Sequence, residues 1–216
     1  MPSWTLHLVN ARGQLASCAG VILSACAEAE ARVAAVTAPL ALDIVIRATQ
    51  AMPEALFVGG HCYEPAVIGI GIDLTQPHTE ERLRHELLKT LFHEFHHALR
   101  WDGPGYGDTL GEALVSEGLA QRFLHEMMDC PPEPFEVAVP DDVCETWRGD
   151  ALAGFDDAEY DHAAWFFGTG NMPNWLGYTL GRRIVDRILA RHPQHTALSL
   201  AAADAQMFRW TLAEAM

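Results

Sequence analysis

The chain has 216 residues, 50% of them hydrophobic and 20% charged, with a formal net charge of −15. That is the balance of a soluble globular protein with one well-filled core, which two lobes around a cleft can share. The acidic excess argues against nucleic acid or an anionic membrane surface as partner, because both need clustered Lys and Arg.

The N-terminus lacks the basic-then-apolar order of a secretory signal, and the apolar run CAGVILSACA is too short to span a bilayer. Cys18, Cys26, Cys62, Cys130 and Cys144 are odd in number and share no Cys-x-x-Cys spacing, which favours reduced thiols over a disulfide framework. The expected compartment is the cytoplasm.

In chain order, residues 15–37 read as an alanine-rich buried helix. LDIVIRAT (42–49), LFVGGHCYE (56–64) and AVIGIGIDL (66–74) are β-branched runs separated by Pro and Gly signals, and predict three strands of one small sheet. HTEERLRHELLKTLFHEFHHALR (78–100) predicts a long helix. TLGEALVSEGLAQRFLHEMM (109–128) predicts another, opened by Thr109 with Glu112 three residues on, the capping-box pattern. CPPEPFEVAVP (130–140) is expected to be extended, because its prolines oppose a helix. Beyond it the chain reads as helical to the end, most clearly at 174–191. A small sheet followed by helices is an α+β plan.

Helical residues advance by about 100° each, so His93 and His97 lie about 40° apart on one face, one turn apart along the axis. His96 lies about 60° to the other side of His93, and spacing alone leaves it open as a ligand. The order His93-Glu94-Phe95-His96-His97 is His-Glu-x-x-His, which sets a carboxylate beside two ligands rather than among them. From there Glu94 can take a proton from a water on the metal. A solvated helix face carrying the same five letters by chance is the plainer alternative.

On the next helix, Glu117 falls within a stripe of Leu110, Ala113, Leu114, Ala120 and Leu124. An ionised carboxylate there is costly unless a cation or hydrogen bonds compensate it. A metal would do so, and so would an ion pair with Arg100 or Lys89. Two histidines and one carboxylate, with a fourth position for water, form the ligand set of a catalytic zinc site, here one Zn2+ per chain. Other divalent ions are compatible with it.

His93-Glu94-x-x-His97, nineteen intervening residues and Glu117 within SEGLA together resemble the gluzincins, the thermolysin-like branch of zinc metallopeptidases. More narrowly, FHEFHHALR…TLGEALVSEGLAQRF…NWLGYTLGRRIV is similar to an uncharacterised family of predicted zinc-dependent proteases, over residues 55–190. The resemblance implies zinc bound by His93, His97 and Glu117, with Glu94 as general base and proton shuttle. It also implies a zincin-like sheet whose edge strand pairs with an extended peptide above the helix. The expected organisation is one catalytic domain over 1–216, with a sheet-containing lobe at 1–104 and a helical lobe at 105–216. The expected partner is a peptide or flexible polypeptide substrate.

One position departs from the pattern. Gluzincins often carry an acidic residue four positions after the glutamate ligand, where it orients a ligand histidine; here it is Gln121, which brings no charge, and Glu112 is the substitute to test. For the oxyanion, Tyr178 in NWLGYTLGRR is the first candidate donor, with Gly177 and Gly181 leaving room around it. A tyrosine packed in a helix interface is the alternative. His162 is the second candidate.

VIGIGIDL would suit a cleft-edge strand whose glycines admit a peptide backbone, or a plain core strand. Cys62 beside His61 could approach the metal or be a small buried hydrophobe. Arg182 and Arg183 could bind a substrate carboxylate or line a solvated face. The reading is a zinc-dependent metallopeptidase, set against a zincin-like scaffold that does not cut and a zinc hydrolase of a non-peptide amide.

Overall fold

A computed structural model describes residues 3–50 and 56–214. The backbone divides into two compact units, Met1–Ala98 and Leu99–Met216. The plan is α+β, a small sheet followed by helices.

The first unit contains β1 (Trp4–Val9), α1 (Ala19–Ala34), β2 (Leu42–Ala48), β3 (Val58–Glu64), β4 (Val67–Ile72) and most of α2 (Glu80–Trp101). The sheet runs β1-β2-β4-β3; β1, β2 and β4 are parallel, and β3 is antiparallel to β4. Parallel neighbours need a crossover. α1 supplies it between β1 and β2, burying Ile22, Ala25, Cys26, Ala29 and Val33 at helical spacing. The strands alternate with period two. Leu42, Ile44, Ile46, Ile68, Ile70 and Ile72 are buried, whereas Thr5, His7, Asp43 and Arg47 face solvent. Trp4 of β1 approaches Phe95 of α2, ring centroids 6.0 Å apart, and Arg32 of α1 lies 4.9 Å over the Phe92 ring. Both helices therefore cover the same face of the sheet.

One expectation changes here, and one open alternative is decided. The sheet has a fourth strand, β1, which the sequence reading does not include. β4 lies between β2 and β3, so its glycines belong to a core strand and not to a cleft edge. The edge is β3, joined to β4 through Pro65 and Ala66. Ala66, at the second central position, takes a left-handed conformation, φ 65°, which a type II turn with proline at its first central position requires there. A Cβ at Gly69 would stand 2.2 Å from the Tyr63 ring, so that glycine makes room for a cross-strand aromatic and not for a ligand.

The second unit contains α3 (Leu110–Met127), α4 (Asp141–Ala153), α5 (His162–Phe167), α6 (Leu176–Arg191) and α7 (Trp210–Ala213), with short 3-10 turns at Pro134–Glu136, Leu198–Leu200 and Ala205–Phe208. The capping box opens α3. Glu112 N–H donates to Thr109 Oγ1 at 3.3 Å, and Thr109 N–H donates to Glu112 Oε2 at 2.9 Å. The segment 130–140 is not wholly extended. Pro134 opens one 3-10 turn, because the first helical position needs no N–H. The helical remainder is also interrupted, at 154–161, 168–175 and 192–197. Gly168, at φ 65°, caps α5 in a left-handed conformation that favours glycine.

α3 and α6 meet backbone to backbone. A Cβ at Gly118 would stand 2.1 Å from the Gly181 carbonyl oxygen, and one at Gly181 would stand 2.3 Å from that of Leu114. Among the described residues no helix is long and apolar enough to cross a membrane.

Candidate metal centre

On α2, the burial that begins as a stripe closes round the helix. From Leu91 to Ala98 only His93 keeps intermediate exposure, while Glu94 is 5% exposed and His97 1%. His93 and His97 aim their Nε2 atoms at one point, 3.1 Å apart, with ring planes at 75°. Two nitrogens on a tetrahedral zinc, each bonded at about 2.0–2.1 Å, stand about 3.3 Å apart. The pair therefore fits that ion nearly as it stands.

Glu94 rests on the sheet edge. A Cβ at Gly60 of β3 would come within 2.5 Å of Glu94 Cγ and 2.7 Å of Thr90 Cγ2. Glycine is what lets the edge strand lie against the glutamate.

On α3, Glu117 is 4% exposed. Tyr106, in the glycine-rich loop before the helix, donates its hydroxyl to Glu117 Oε1 at 2.9 Å. Sequence reasoning missed this residue; the signal available was a lone tyrosine between Gly105 and Gly107, both at positive φ. One turn on, Gln121 is fully buried and donates Nε2–H to the Tyr178 carbonyl at 3.3 Å, while its Oε1 has no hydrogen-bond partner among the described residues. Glu112 is committed to the helix cap, its Oε2 also accepting from Asp108 N–H. The ligand atoms of His93, His97 and Glu117 all lie within 4.8 Å of one another, and His96, 0% exposed, is not in that group.

Arg100 and Lys89, the alternative partners for Glu117, each have a partner within their own unit. Arg100 is fully buried and donates Nη1 to the Ala201 and Ala203 carbonyls at 3.0 and 3.4 Å. Desolvation lowers its pKa to about 10, against the opposing pull of Glu112 and Asp204. Lys89 pairs with Glu86 at 2.8 Å.

Of the candidate oxyanion donors, Tyr178 is half-buried on α6, its ring 5.1 Å from those of Phe135 and Phe166. Contrary to the expectation that they leave room around Tyr178, the neighbouring glycines admit other groups: Gly177 faces the Phe166 ring and Gly181 faces α3. His162 stacks on Phe166 at 4.5 Å and meets the Tyr160 hydroxyl at 3.0 Å. Burial, reinforced by Glu117, Asp108 and Glu112, pushes the Tyr160 phenol up to about 12, which keeps it protonated. Arg182 pairs with Glu136 and Asp186, and Arg183 with Asp141, so both have structural partners. Cys62 is 1% exposed and directs its thiol to the Glu64 carbonyl at 3.6 Å.

An α+β chain with two imidazoles and a carboxylate converging in this way has the donor set of a zinc-dependent hydrolase. The chain belongs to the family described as predicted Zn-dependent protease (DUF2268), whose model matches residues 23–209. A search of curated proteins finds no match.

Proposed function

We propose that this chain is a zinc metallopeptidase of the gluzincin type, with His93, His97 and Glu117 as ligands and Glu94 as general base, acting in the cytoplasm on peptides or flexible segments of polypeptide. The observation that carries this reading is the group of three ligand atoms within 4.8 Å of one another. Zinc held by these residues would supply Lewis acidity towards a scissile carbonyl and lower the pKa of a water to about 7.

The chain's own residues do the rest. Glu94 takes a proton from the attacking water and returns it to the leaving amine. Gly60 gives Glu94 its seat, so the base is held by backbone and not by a mobile side chain. The outer edge of β3 offers the backbone groups that β4 leaves unpaired, and an extended peptide can align on them. Tyr178 is the proposed donor to the oxyanion.

Gln121 favours a second reading, a zincin-like scaffold that binds a peptide without cutting it. Where an acidic residue would raise the basicity of a ligand imidazole, Gln121 is neutral and its amide is engaged by Tyr178. Screening zinc-loaded protein against peptide and non-peptide amide libraries, beside Glu94→Gln, separates the readings. The peptidase reading predicts peptide cleavage that a chelator abolishes, and a fall of about 10²–10⁴-fold in Glu94→Gln with zinc retained. Cleavage confined to non-peptide amides would redirect the substrate class. Zinc retention with no turnover in either form would favour the scaffold.

A further inference from the structure

The helical unit holds a second cluster of reactive groups that the proposed function does not use. Cys130, three residues beyond α3, places Sγ 3.7 Å from Nδ1 of His125. The other ring nitrogen, Nε2, faces both carboxylate oxygens of Glu136, at 2.8 and 3.1 Å. The Glu136 side chain is 0% exposed and also accepts from Arg182 Nη1 at 3.1 Å. A carboxylate on Nε2 fixes the proton there and leaves Nδ1 as an acceptor facing the thiol.

The surrounding charges allow that proton to move. Arg182 pairs with Asp186 at 3.4 Å, and Arg122 of α3 pairs with the same Asp186 at 3.2 Å. Two arginines and two carboxylates (Glu136 and Asp186) sum to zero. Passing the thiol proton to Nδ1 creates a thiolate–imidazolium pair and leaves the sum unchanged. Of the remaining acids nearby, Glu126 is turned to the Ala197 and Leu198 N–H groups, and Asp129 is exposed.

We propose that Cys130 is a nucleophilic thiol that forms mixed disulfides with low-molecular-weight disulfides, with His125 as its base and Glu136 orienting the imidazole. A nucleophile, a base within reach and a third group holding the base are the parts such a site needs. His125 Nδ1 takes the thiol proton, and the thiolate attacks one sulfur of the incoming disulfide. That disulfide breaks as the new S–S bond forms, and the departing thiolate takes the proton from His125. Cys130 is oxidised and half of the incoming disulfide is reduced, so the step balances.

Access favours the same residue. Cys130 is half-buried between the exposed Asp129 and Pro131, whereas the other four cysteines are buried. Desolvation raises the Cys18 and Cys144 thiols and pushes Cys26 up to about 12, so they stay protonated and slow to react.

The test uses oxidised glutathione on the full chain, with the adduct mapped by peptide mass spectrometry and its rate measured from about pH 6 to about pH 8, where an ordinary thiol gains about tenfold in thiolate per unit. The expected result is an adduct at Cys130 whose rate is nearly level across that window. His125→Gln should restore the steep profile and slow the reaction about tenfold or more at the acid end. A wild-type profile as steep as that of a free thiol, or no preferential adduct at Cys130, overturns the proposal. The wild-type profile decides the matter even if His125→Gln fails to fold.

Discussion

Glu117 and Glu136 are both sunk in the helical unit, 4% and 1% exposed, yet they keep different company. Glu136 accepts from a guanidinium and from an imidazole N–H of its own unit, so a cation that offsets its burial is built into the fold. Glu117 accepts from the neutral hydroxyl of Tyr106, and one of its carboxylate oxygens lies within 4.8 Å of ligand nitrogens of two imidazoles that can themselves bind a metal. Burial of a carboxylate is thus not a signature of function by itself. What distinguishes the two is that Glu136 accepts from a guanidinium, whereas Glu117 lies in a group of side chains that can bind a metal.

The strongest way to break this contrast is to remove Glu136. Glu136→Ala would leave the half-buried Arg182 without one of its counterions and His125 without its acceptor, and breaking a buried pair costs up to about 3–5 kcal/mol. Urea unfolding should register that loss while bound zinc stays at the wild-type level. A loss of zinc in this variant would merge the two sites. Next, Gly60→Ala puts a Cβ where Glu94 now lies. Displacing a catalytic group by about 1 Å can cost about 10²-fold, so kcat should fall far more than unfolding stability. Equal losses in both would make Gly60 a packing residue only. The smallest effect is expected from Gly118→Ala, whose Cβ meets the Gly181 carbonyl and forces α3 off α6. Overpacking of this kind costs about 1–3 kcal/mol, read as a lower urea midpoint at unchanged slope.

What was legible in the sequence follows from how local each feature is. The His93–His97 spacing, the Thr109–Glu112 cap and the apolar stripe around Glu117 are properties of single helices, and period and capping chemistry reveal them. Strand order is not local. WTLHLV alternates like a strand, but as a six-residue run it becomes one only through parallel pairing with β2 across α1. The same limit explains the glycines of β4, which suit a cleft edge or a core strand equally until β3 is seen outside them. Tyr106 lies in a loop without periodicity, so nothing in its own segment points to Glu117. Gly177 and Gly181 suggest space around Tyr178, but what fills the space is Phe166 and a neighbouring backbone. A glycine tells that something approaches, and only the tertiary structure tells what.

The central claim, that His93, His97 and Glu117 together hold one zinc ion, is tested most directly by elemental analysis of protein purified without chelator or metal-affinity resin, beside His97→Ala and Glu117→Ala. The account predicts one zinc per wild-type chain and none in either variant that remains folded by circular dichroism. A wild-type chain that takes up no zinc when the ion is added back, or a folded Glu117→Ala that keeps it, would contradict the account.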